Sequence, residues 1–305
     1  MRARLLLGGL AITLVIAGCG SDTRSGTASP DPAAITVASV NFSESEALAE
    51  IYAQVLERDG YPVRRALDLA SREVVEPALE QGVVDLTPEY LGTILAFVDP
   101  EASAERLDQA GLHARLQTAL GRRGIDVLAA APAANQNGLA VTRATARRLH
   151  LAKVSELAPL AGSLVLGGPP ECPERPFCLP GFASTYGLRF KAFRPLDSGG
   201  PRTLAALQGS EIGVGVLFTT DGTLGGPDPD VVLLDDDRHL QPSENVVPVV
   251  RRAVVRRYGA AFVSLVDRVS AQLQTADLIA LNRDVDINGV TPARAARNWL
   301  RAHGF

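Results

Sequence analysis

Few residues in this 305-residue chain combine the types and spacing that chemistry needs. Cys172 and Cys178 lie six positions apart in the proline-rich run 167–181. In an exported chain such a lone pair forms a disulfide. Reduced thiols or part of a metal site are the alternatives, although no histidine is near and a structural metal takes four ligands. His113, His150, His239 and His303 are scattered without ligand spacing. The chain has no nucleophile elbow or phosphate loop, and Gly213-Val214-Gly215 lacks the third glycine of a dinucleotide fingerprint. Asp235-Asp236-Asp237 reads as a solvated turn. Arg72, at the start of a helical run, has the geometry to hold a carboxylate. These residues point away from an enzyme and call for no cofactor.

Several elements must position what remains. Arg2 and Arg4 precede an apolar run over 5–16, and Ala17-Gly18-Cys19 closes it. A basic start, a short apolar core and small residues make an export leader over 1–18, too short to span a membrane. The cysteine after the small pair resembles a bacterial lipobox, so Cys19 is expected to carry lipid. Residues 19–34, rich in Ser, Thr, Gly and Pro, then form a tether. The chain is 46% hydrophobic and carries a net charge of −4, more negative once Arg2 and Arg4 leave. That suits a soluble exported body and excludes nucleic acid as a partner.

Residues 35–40, 63–67 and 83–86 read as strands, with helices over 43–59 and 71–81 between them. Ser43 and Glu46 are placed as a capping box, and Pro77 kinks or delays the second helix. The β-α-β-α-β order predicts a parallel sheet, whose ligands meet the loops after the strands: Asn41-Phe42-Ser43, Ala70-Ser71-Arg72 and Thr87-Pro88-Glu89-Tyr90. A surface helix is expected over 102–122, and a strand over 125–130. A second α/β unit is then built from runs at 138–142, 145–149, 163–166, 185–188 and 212–216. Residues 245–250 return to the first unit. Tyr186 and Trp299 read as core packing.

The segments Ser39-Val40-Asn41-Phe42-Ser43-Glu44-Ser45, Ser71-Arg72-Glu73-Val74-Val75-Glu76-Pro77 and Asp85-Leu86-Thr87-Pro88-Glu89-Tyr90-Leu91-Gly92-Thr93 closely resemble those of the substrate-binding proteins of osmoprotectant ABC transporters. The resemblance implies an α/β, bilobal type II periplasmic-binding-protein fold, with two mixed sheets and a two-strand hinge. The lobes would span 35–137 with 243–305, and 138–242. It implies capture of glycine betaine, choline or a related quaternary amine by lobe closure, and delivery to a permease and its ATPase. The protein would be a monomer, held by its lipid at the outer face of the cytoplasmic membrane. A quaternary cation has no N–H to offer, so aromatic faces must attract it. The expected ligand contacts are Asn41, Ser43, Arg72, Tyr90, Thr93, Asn137, Phe218, Thr220 and Asn245. Asn137 and Ser243 stand where the family usually has tyrosines, which leaves open a more polar, non-quaternary ligand. A sensory lipoprotein that keeps the fold without transport is a further alternative.

Overall fold

A computed structural model describes residues 34–101, 107–225 and 230–305. The leader, Cys19 and most of the tether lie outside these residues, as does the start of the helix expected from 102. The first sheet has strand order β2-β1-β3-β10-β4. It comprises β1 (Ile35–Ala38), β2 (Val63–Ala66), β3 (Leu86–Tyr90), β4 (Ile125–Val127) and β10 (Val246–Arg251). Helices α1 (Ser43–Arg58), α2 (Arg72–Gln81), α3 (Leu91–Val98) and α4 (Gln109–Gly121) join its strands. After β10, α8 (Arg252–Gln272), α9 (Thr275–Asn282) and α10 (Pro292–Ala302) complete this lobe.

The second sheet has the order β7-β6-β8-β5-β9. Its strands are β5 (Asn137–Thr142), β6 (Val165–Gly168), β7 (Ala192–Pro195), β8 (Val214–Phe218) and β9 (Val231–Leu233), with helices α5 (Arg143–Leu149), α6 (Leu179–Tyr186) and α7 (Pro201–Gln208). The two sheets repeat one plan. Three strands pair parallel, β2-β1-β3 and β7-β6-β8, and a fourth joins antiparallel. In each sheet that fourth strand, β10 or β5, enters directly from a crossing between the lobes. At the crossings Ala134 bridges Asn245, and the Asn135 N–H donates to the Glu244 carbonyl at 3.0 Å.

Each face of the first sheet buries its own apolar layer. Tyr52, Phe262, Trp299 and Leu300 belong to one, and Leu79, Ile94, Leu116 and Val249 to the other. Trp299 packs with Ala295, Ala296 and Leu300, as its helical spacing predicts.

Four local expectations change. The third strand is not 83–86 followed by a loop, because Thr87-Pro88-Glu89-Tyr90 is itself strand. Pro88 lies opposite Pro248 on β10. The flanking bonds, Leu91 N–H to Asn245 and Arg251 N–H to Asp85, make that a non-hydrogen-bonded pair, so neither proline deprives the ladder between them of a donor. Helix α3 follows at once, unforeseen in the sequence. The capping box at Ser43 does not form. Phe42 holds the cap position in extended conformation, and the Ser43 hydroxyl donates to Asp286. Pro77 stays inside an unbroken α2, and the Ser71 carbonyl accepts from both Val74 and Val75. Finally, the Asp235–Asp237 turn is not merely solvated. Asp236 accepts from the Leu240 and Gln241 amides and the buried Tyr186 hydroxyl, and Asp237 accepts from Ser155.

Candidate functional site

A cleft of about 520 Å³ opens between the sheets. Its floor is the C-terminal end of β3, where the chain turns into α3, together with the two crossings. Asn41, Arg72, Tyr90, Thr93, Asn137 and Phe218 all line it. Ser43 does not; it borders a smaller cavity of about 100 Å³ beside Asn41. Thr220 and Asn245 are turned to other work. The buried Thr220 hydroxyl donates to Glu44 at 2.6 Å. The Asn245 amide donates to the Ala131 and Pro132 carbonyls, and its Oδ1 accepts from the Ser243 hydroxyl. Asn245 braces a crossing and Thr220 holds Glu44, and neither borders the cleft. Hydrogen bonds to residues distant in sequence claim both side chains.

The aromatic wall contains a ring absent from the expected contacts. Phe42 sits between Tyr90 and Phe218, with ring centroids 6.2 Å and 5.3 Å away. Phe42 comes from the first lobe and Phe218 from the second, so the pair spans the cleft. Phe97 on α3 and Phe177 also line it. Phe177 arrives on the loop closed by the Cys172–Cys178 disulfide, the pairing that the spacing indicates. The short ring turns Arg175, Pro176 and Phe177 toward the first lobe. There Arg175 pairs with Glu73 at 2.8 Å, its guanidinium 5.9 Å from the centre of the Phe97 ring.

Buried charge gives the cleft its sign. Arg72, the expected carboxylate holder, is already engaged. Its Nε and Nη2 grip Glu89 at 3.0 Å and 2.6 Å, and Nη2 also donates to the Thr93 hydroxyl at 3.1 Å. Two further carboxylates have no cationic partner at hydrogen-bond range among the described residues. Glu44, second residue of α1, accepts from Tyr90, Asn135, Thr220 and Asn282. Burial raises its pKa, and the four donors oppose that shift. Glu244, on the second crossing, directs Oε2 at the N-terminus of α3, where it accepts from the Gly92 and Thr93 amides at 3.1 Å and 3.2 Å. Burial pushes Glu244 up to about 8. The approach is close: a Cβ on Gly92 would lie 2.3 Å from Pro242. With Arg72 and Arg175 each paired to a glutamate, Glu44 and Glu244 remain as buried carboxyls, and a cation entering the cleft favours their ionised form.

The expected contacts did not include Glu44, Glu89, Asn135, Arg175, Phe177 or Glu244. Glu44 and Glu89 lie inside the segments that carry the family resemblance, but nothing in those segments marks them as facing the cleft. Arg175 and Phe177 come to the cleft only through the course of a long loop.

Comparison with known proteins gives a consistent picture. The model of the substrate-binding domain of ABC-type glycine betaine transport systems matches residues 33–302. A glycine-betaine-binding protein of Pseudomonas aeruginosa is 31% identical over 273 residues, covering 86% of this chain and 85% of that protein. The glycine betaine-binding protein YehZ of Escherichia coli is 28% identical over 280 residues, 89% of this chain and 91% of its own. Among solved structures, a glycine betaine/carnitine/choline ABC transporter protein shares the fold with a TM-score of 0.69 at 22% identity, covering 88% of this chain and 98% of its own.

Proposed function

This chain belongs to the family of substrate-binding domains of ABC-type glycine betaine transport systems, and we propose that it captures a small cationic osmolyte such as glycine betaine or choline between its lobes for import. The observation that carries this reading is the cleft itself. Phe42, Tyr90 and Phe218 present aromatic rings from both lobes, and beside them Glu44 and Glu244, with no cationic partner at hydrogen-bond range among the described residues, are buried carboxyls whose ionised form a bound cation favours. Aromatic faces attract a desolvated cation through their quadrupoles, by about 0.5–2 kcal/mol each.

A ligand touching Tyr90 on one side and Phe218 on the other binds the closed arrangement better than an open one, and it shifts the population by that difference. The lobes comprise 35–137 with 243–305, and 138–242, and the closed pair docks on a permease driven by its ATPase. The protein acts as a monomeric receptor without catalysis. Leader 1–18 exports it, and lipid on Cys19 with tether 19–34 holds it outside the cytoplasmic membrane.

The test is a thermal-shift titration of the domain from residue 34 onward with glycine betaine, choline and carnitine. A ligand at a hundredfold excess over its Kd adds about 2.7 kcal/mol to the native state. The reading predicts a rise in melting temperature with at least one of these, clearly reduced in Tyr90→Ala. No rise with any of them would retire the ligand class. A second reading keeps the receptor role with a more polar amine. Asn137, an amide on the cleft wall where the family usually has a tyrosine, favours it.

A further inference from the structure

We propose that the ligand of this cleft carries a hydrogen-bond donor, N–H or O–H, beside its cationic head, and that Glu244 Oε1 and Asn135 Oδ1 receive it. The inference rests on the cation-capture reading above and narrows it to one chemical class.

Glu244 and Asn135 lie side by side on the two crossings, joined by the backbone bond from Asn135 to Glu244. Both line the cleft, and they are 2% and 6% exposed. One end of each side chain is committed. Glu244 Oε2 takes the Gly92 and Thr93 amides and the Thr93 hydroxyl. Asn135 Nδ2 donates to Glu44 Oε1 at 2.7 Å, which settles which end of that amide is the oxygen.

The other ends, Glu244 Oε1 and Asn135 Oδ1, are buried with no hydrogen-bond partner among the described residues. The charged groups acting on Glu244 are Arg72 and Glu89, and those two are bonded to each other, so Arg72 does not serve Oε1.

Buried polar atoms are paired in the great majority of cases, and an unmet acceptor carries the full cost of its desolvation. A ligand donor that reaches these oxygens removes that cost. A trimethylammonium without N–H or O–H leaves it in place. Sites built to bond a ligand donor reject the analogue that lacks it far more strongly than an apolar pocket rejects a methylene. Burial pushes Glu244 up to about 8 in the ligand-free protein, and the cationic head beside it favours the ionised carboxylate, in which Oε1 accepts.

Two matched pairs test this by calorimetric titration of the wild-type protein: N,N-dimethylglycine against glycine betaine, and choline against its O-methyl ether. Within each pair one compound has a donor and the other a methyl in its place. The expected result is about tenfold tighter binding of the donor-bearing member in at least one pair. Glu244→Gln should abolish that ratio, since the amide oxygen must face the Gly92 and Thr93 amides and its NH₂ then replaces the acceptor with a donor. A ratio below about threefold in both pairs, or one that persists in Glu244→Gln, overturns the inference. The wild-type comparison stands alone if the variant does not fold. Equal binding within both pairs would sink this inference and leave cation capture intact, whereas no binding by any of the four compounds would sink both.

Discussion

Tyr90 has two separable roles, one for its ring and one for its hydroxyl. The ring belongs to the cleft wall, and the hydroxyl is one of four donors that hold Glu44 in the interior. Tyr90→Phe is therefore expected to lower stability in urea by about 1–2 kcal/mol, leaving Glu44 one donor short. Its affinity for a cation should change little. Tyr90→Leu should weaken that affinity by on the order of tenfold as the aromatic face disappears. Calorimetric titration beside denaturation separates the two.

The Pro-Glu-Tyr segment makes Tyr90 legible from the sequence alone. Glu44 is not legible, because an acidic residue in the first turn of a helix normally interacts with solvent and the helix dipole. Here Tyr90, Asn135, Thr220 and Asn282 converge from four distant points of the chain. Nothing in local sequence reports such convergence.

At the level of elements, the loop between β6 and α6 forms one wall of the cleft. Its disulfide joins Cys172 to Cys178, where α6 begins, and fixes the short arc that carries Arg175 and Phe177. Opening the ring in a Cys172→Ser/Cys178→Ser variant lets that arc wander, and binding must then order it again at ~0.5–1.5 kcal/mol for each side chain immobilised. Ligand affinity should fall by roughly three- to tenfold, with a smaller effect on melting temperature because so short a ring restricts the unfolded chain little. An unchanged affinity would mean the arc is held by Arg175 and Glu73 alone.

The disulfide is readable from spacing, but the arc's place at the cleft is not, since it depends on an approach between lobes. The fate of 87–90 makes the same point. Two prolines argue against a central strand, and only the register that sets Pro88 against Pro248 reconciles them with one.

Across the whole molecule, buried carboxylates set the response to pH. Burial pushes Glu244 up to about 8 and Glu76 up to about 7, from ordinary values near 4.5. Neither Glu76 oxygen has a hydrogen-bond partner among the described residues. Because these values are raised, the folded protein keeps protons that the unfolded chain releases. Stability is then fully present below about 4.5 and is lost as pH rises toward 7 and 8, at about 1.4 kcal/mol per pH unit for each group still protonated in the fold. Scanning calorimetry of the ligand-free protein should show a melting temperature that declines from pH 5 to pH 8. Glu76→Met, of similar volume and without charge, should flatten part of that decline and raise the melting temperature at pH 8. A flat profile in the wild type would mean that these carboxyls are ionised in the fold throughout.

The two crossings also impose a history on the chain. Strand β10 lies between β3 and β4, yet more than a hundred residues separate it from either. Every strand of the second sheet, from Asn137 to Leu233, precedes it. During synthesis or export from the N-terminus, the second lobe has all its strands while the first still lacks a central one. Until residues 246–251 emerge, β3 has an open edge and β4 has no neighbour, the condition in which a sheet recruits the wrong strand. The pairing that ends this exposure is non-local, and therefore slow. The first sheet thus closes only at β10, and the floor of the cleft comes into being after every strand of the second lobe has been made.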